Sequence, residues 1–150
     1  MENAREATQV ILEDLLNICK EEHFLFRTAS DKITNPFLKS ILDNCADEKQ
    51  MNIDKLEMEL ERIGGKFNRR EIEIAQNVLG YFDAFNCDKE ILSQCQKIDD
   101  AVLNKYSKAM NGDILWEVVP FIAKQYFASV NLHCRIMYSS KNNVPKSVYS

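Results

Sequence analysis

Residues 33–38 read Ile33-Thr34-Asn35-Pro36-Phe37-Leu38, and this short stretch decides the fold. An Asn side chain accepts from the free N–H groups that open a helix, and Pro fits a first-turn position that needs no donor. A helix therefore begins at Pro36. Upstream, Leu12, Leu15, Leu16, Cys19, Phe26, Ala29 and Ile33 recur at three- and four-residue steps, which predicts a first helix from near Thr8 up to this break. Downstream, Leu38, Ile41, Leu42, Cys45, Met51, Asn52, Leu56, Leu60 and Ile63 predict a second helix that ends at Gly64-Gly65, where glycine adopts positive φ cheaply. Two long amphipathic helices joined by so short a break form a hairpin.

The rest of the chain repeats the pattern. Between Arg70 and Phe85 the spacing is again helical, with Ile72, Ala75, Leu79 and Phe82 on one side and Ile74, Val78, Tyr81 and Phe85 beside them. That apolar face is broader than one helix contact requires. Asp88 is placed to cap a third long helix, carrying Ile91, Cys95, Ile98, Val102, Tyr106 and Ala109, which Asn111-Gly112 closes. Asp113 can cap a fourth, with Leu115, Val119, Ile122, Tyr126, Val130, His133 and Met137, that must kink or restart at Pro120. Residues 139–150 read as a polar C-terminal tail. A helix of roughly sixteen residues after the second helix spans about 24 Å at about 1.5 Å per residue, enough to carry the chain back along much of the hairpin. The expected fold is all-α: an up-down four-helix bundle over residues 1–138 with an extra helix in the crossover, the third helix running parallel to the second.

Composition agrees with one helical domain. The 150 residues are 45% hydrophobic and 28% charged, with only four Gly and three Pro, too few for many short strands joined by turns. A net charge of −4 without a basic face argues against nucleic-acid binding. No apolar run approaches the roughly 20 residues of a membrane span, so a cytoplasmic location is expected. Five cysteines, an odd number without a C-x-x-C pair, point to reduced thiols rather than a disulfide framework or a zinc ribbon.

The pieces Phe26-Arg27-Thr28-Ala29, Pro36-x-Leu38-Lys39, Leu56 with Ile63-Gly64-Gly65, Asp99 and Tyr106, and Gln125 with His133 occur in an order and spacing that resembles the bacterial ferritin-like four-helix proteins of unknown function. The resemblance covers most of the chain and implies a ferritin-like bundle. A working di-iron site on that fold takes a carboxylate from each of two helices and a Glu-x-x-His pair from each of the other two. Here Lys20 stands three residues before His23 and Val130 three before His133, while Met51 follows Glu48, so neither pair exists. Counted from the helix ends, Glu22, Glu48, Asp99 and Gln125 fall roughly half-way along the bundle, within about one turn. With His133 they form a candidate remnant of a metal site; alternatively, Glu48 and Asp99 lie at stripe edges, facing water or pairing with Lys49 and Lys97.

Cys19 and His23, one turn apart, could offer zinc a thiol and an imidazole with His133 nearby, although a lone histidine on a stripe is more often a structural residue. Cys45 and Cys95 should approach each other as buried, inert thiols, and Tyr106, Tyr126 and Tyr138 fit a core role better than a radical one. No hydrolase triad, phosphate-cradling loop or dinucleotide fingerprint can be assembled. The sequence thus favours a cofactor-free, non-enzymatic interaction or structural protein. Its homodimer or partner interface is expected at Ile72, Val78, Tyr81, Phe82 and Phe85, and the alternative is a degenerate di-iron protein that binds or oxidises iron. A small-ligand pocket between helices is not legible in a sequence.

Overall fold

A computed structural model describes residues 2–64 and 87–143, and every regular element among them is helical. Four long helices, α1 (Glu2–Lys32), α2 (Pro36–Arg62), α3 (Asp88–Met110) and α4 (Val119–Asn143), are accompanied by one 3-10 turn, Trp116–Val118. The extra crossover helix expected over Arg70 to Phe85, and with it Ile72, Val78, Tyr81, Phe82 and Phe85, lies outside the described residues.

The break at Asn35 forms as its chemistry dictates. Asn35 Oδ1 accepts from Phe37 N (2.9 Å) and Leu38 N (3.2 Å), and Pro36 occupies the first turn of α2. At the other end of α2 the chain turns at Gly64 with φ +85°, a conformation that strains any other residue. The last carbonyls there are not left bare, because Arg5 Nε (2.8 Å) and Gln9 Nε2 (2.9 Å) of α1 both donate to Ile63 O.

Four sequence-based placements change. The first helix begins at Glu2, six residues before Thr8, because Thr8 is an interior position whose Oγ1 donates to Ala4 O (2.6 Å) and accepts from Leu115 N (2.8 Å). Asp88 does not cap α3. It is that helix's first residue, and its carboxylate accepts from Thr34 N (2.9 Å), Thr34 Oγ1 (3.0 Å) and Asn35 N (3.0 Å), holding the α1–α2 turn from across the molecule. Asp113 is no cap either, since the 3-10 turn intervenes; α4 starts at Val119 and takes Pro120 into its first turn, where no donor is missed. At the far end α4 continues through Asn143 with Ser139 buried, so the first residues read as tail are helical.

These contacts fix direction. Asp88 beside Thr34 sets α3 antiparallel to α1, and Leu115 beside Thr8 starts α4 at the same end as α1. Since α1 and α2 are a hairpin, α2 and α3 run parallel, as expected. Each helix packs on two neighbours, α1 on α2 and α3, α4 on α3 and α2, and the α2–α4 seam is the thinnest of the four.

The interior is layered. One apolar layer gathers Leu25, Phe26, Leu42, Cys45, Leu92, Cys95 and Ile136, and the other gathers Leu12, Leu15, Leu56, Leu60, Val102, Tyr106 and Ile122. Each buried Leu or Phe contributes about 1.5–3 kcal/mol of transfer free energy, so the two layers together drive the collapse. Between them lie Glu22, Lys49, Asp99 and Ser129, all fully buried.

Candidate functional site

Each of the four long helices contributes one residue to that middle layer: Glu22 from α1, Lys49 from α2, Asp99 from α3 and Ser129 from α4. Lys49 Nζ lies 2.8 Å from Glu22 Oε1, with neither side chain exposed at all, and it donates to Ser129 Oγ at 3.3 Å. His133, half-buried on α4, places Nδ1 2.6 Å from Asp99 Oδ2 and Nε2 3.5 Å from the exposed Asp100. One turn further along, Tyr106 donates to Gln125 Oε1 (2.6 Å), its hydroxyl also lies 3.3 Å from Cys19 Sγ, and Gln125 Nε2 donates to Asn52 O (3.0 Å).

The protonation state follows from the geometry. Glu22 Oε2 and Asp99 Oδ1 are buried with no donor in reach if both acids are ionised. Burial, then the charge and hydrogen bonding of Glu22, drive the Asp99 carboxyl well above the ordinary carboxylate range, against a smaller opposing pull from Lys49. The direction of that shift favours a proton held by this pair of acids, which would supply the donor that their buried oxygens lack. Burial, the largest influence, works to lower the pKa of Lys49, but the charge and hydrogen bond of Glu22 together with Cys19 and Asp99 outweigh it and hold the ammonium charged above its ordinary range. The layer is thus one buried cation, Lys49, set against two buried acids that are coupled to each other. Burial also raises Tyr106, with Cys19 adding to it, and raises Cys19 itself against the opposing charge of Lys49, so neither ionises near neutrality.

The structure gathers four of the five residues read as a metal remnant and separates the fifth. Glu22, Asp99 and His133 share the layer, and Gln125 borders it through Tyr106. Glu48 instead faces solvent and pairs with Arg135 of α4. The proposed pairing of Cys19 with His23 does not form: Cys19 meets Tyr106, and His23 Nδ1 lies 2.9 Å from Ala46 O. Cys45 and Cys95 are buried in one apolar layer, where burial pushes Cys45 up to about 12 and Cys95 higher, as expected of inert packing thiols.

Lys49 is the residue that sequence reading missed. It stands four residues after Cys45, seven after Leu42 and seven before Leu56, on the buried line of α2 itself, whereas Met51, read as core, is 56% exposed. A lysine at an apolar-stripe position was the available signal. From Val118 at the end of the 3-10 turn, the inner line of α4 is Ile122, Gln125, Ser129, Leu132, Ile136 and Ser139, not the flank through Tyr126, Val130 and Met137. Three polar residues on it hide its period.

As donor types, Glu22, Asp99 and His133 would suit iron. In this arrangement the Lys49 ammonium already sits against Glu22, and burial beside Glu22 drives the Asp99 carboxyl up. Among the described residues no three His, Cys, Asp or Glu side chains gather in a way that could hold a metal ion.

An all-helical protein of four long packed helices, divided by a buried charged layer, is the class that this geometry defines. Residues 7–112 match the model of a family described as "Domain of unknown function (DUF2383)", and since that span is well over half of the chain, the protein belongs to this family. The matched span includes Glu22, Lys49, Asp99 and Tyr106, and ends before their α4 partners Gln125, Ser129 and His133. A search of curated proteins finds no match. Among the described residues no helix is long and apolar enough to cross a membrane.

Proposed function

We propose that this chain is a ferritin-like bundle that works without a metal, as an interaction or structural protein, with Lys49 as its interior cation. The observation that carries the reading is the fully buried Lys49–Glu22 pair at 2.8 Å in the layer where a ferritin-like site would sit. A tethered ammonium supplies the positive charge that a buried carboxylate requires, so the four-helix frame needs no ion to close. The parallel run of α2 and α3 supports the ferritin-like topology. Five free cysteines support a reducing compartment, the bacterial cytoplasm in this reading. The proposed mode of action is a homodimer or a protein partner held through the apolar stretch with Ile72, Val78, Tyr81, Phe82 and Phe85.

Elemental mass spectrometry of protein purified without chelator or affinity metal, before and after anaerobic incubation with ferrous iron, tests the reading. Iron should leave on desalting. Near-stoichiometric iron retained by the chain, and lost in a Glu22→Gln/Asp99→Asn variant, would replace this proposal with the degenerate di-iron protein. Sedimentation at tens of micromolar should show self-association or capture of a partner, and a strict monomer would remove the homodimer.

A further inference from the structure

We propose that the seam between α2 and α4 binds a single-chain anionic amphiphile. Two rows of side chains, each at three- and four-residue spacing, face one another there: Lys55, Met58 and Arg62 from α2, and Phe121, Lys124 and Ala128 from α4. Together with Glu59 and Gln125 they line an open groove of about 610 Å3, within the roughly 300–1,000 Å3 of small-molecule sites. Its floor is apolar. Phe121 backs onto the apolar layer of Leu56 and Ile122, while Met58 is 70% exposed, so the floor continues the core into solvent. Among the described residues nothing covers this apolar floor, and such a floor gains by burial against a hydrocarbon chain.

The rim decides the head group. Arg62 is taken up by Glu59 and also lies under the charge of Glu117, but among the described residues neither Lys55 nor Lys124 has a carboxylate within ion-pair distance. Two ammonium groups that have no carboxylate partner among the described residues flank the groove of a protein whose net charge is −4, so this rim is cationic against the sign of the whole. Long lysine stems lie along apolar surface and keep their charge at its edge, which matches an acyl chain below and a carboxylate above. The charge pattern disfavours a cationic amphiphile of equal length, because its head would meet Lys55 and Lys124.

Calorimetric titration of the full chain with sodium laurate, below its micelle concentration, tests the proposal. Laurate should saturate near one equivalent, dodecyltrimethylammonium should not bind, and Lys55→Glu/Lys124→Glu should weaken laurate roughly tenfold or more. Ala128→Trp, a surface change that fills the groove, should abolish binding with the melting temperature intact. No laurate binding, equal binding of the cationic analogue, or unchanged affinity in either variant overturns the proposal. So does a dimer, seen by sedimentation, that closes the seam and excludes laurate.

Discussion

Replacing Lys49 by Met keeps most of the side chain's volume and removes only its charge. The Lys49–Glu22 pair is wholly buried, so the substitution leaves a carboxylate without its counter-ion in a place that water does not reach. Removing one partner of such a pair costs about 3–5 kcal/mol, of which little is cavity because methionine refills the space. A domain is typically stable by about 5–15 kcal/mol, so Lys49→Met should consume a large share and lower the melting temperature by roughly 10 °C or more. Adding Glu22→Gln should recover most of the loss, since an amide still accepts the Asp99 proton and no uncompensated charge remains. Urea titration followed by circular dichroism measures all three proteins. If Lys49→Met lies within about 0.5 kcal/mol of the parent, or the double variant is no better than the single, the buried-charge reasoning is refuted.

Three further outcomes follow from the same geometry. Because the folded state holds the Asp99 carboxyl well above its ordinary 3.8, the unfolded chain releases a proton that the fold keeps, and stability falls as pH rises above that value, by up to about 1.4 kcal/mol per pH unit. Asp99→Asn, which stays neutral, should flatten that slope between about pH 5 and 8; an unchanged slope in pH-dependent urea melts would assign it elsewhere. Exposed Cys87 and Cys134 should react at once with a disulfide reagent, whereas buried Cys19, Cys45 and Cys95 should wait for denaturant, so more than two fast thiols would contradict the burial. Asp88→Ala removes three hydrogen bonds that tie α3 to the α1–α2 turn, and thermal melts should register a loss of about 1–3 kcal/mol.

The sequence by itself determined the break between the first two helices, the end of the second, and most of the apolar faces of the first three. Asn35 and Pro36 open α2, Gly64 closes it, and Leu12, Leu15, Cys19 and Phe26 or Val102 and Tyr106 fall on buried lines, because capping, φ preference and helical period act within a few residues. Only the tertiary structure decided the polar positions. Asp88 looks like a cap until Thr34 arrives beside it, and Lys49 looks like a surface lysine until Glu22 of another helix meets it inside. The inner line of α4 stayed hidden for the same reason, since Gln125 and Ser129 are core residues only through Tyr106, Asn52 and Lys49. Burial of an apolar side chain can be read from its own spacing, whereas burial of a charge or an amide is stable only with partners that distant segments supply.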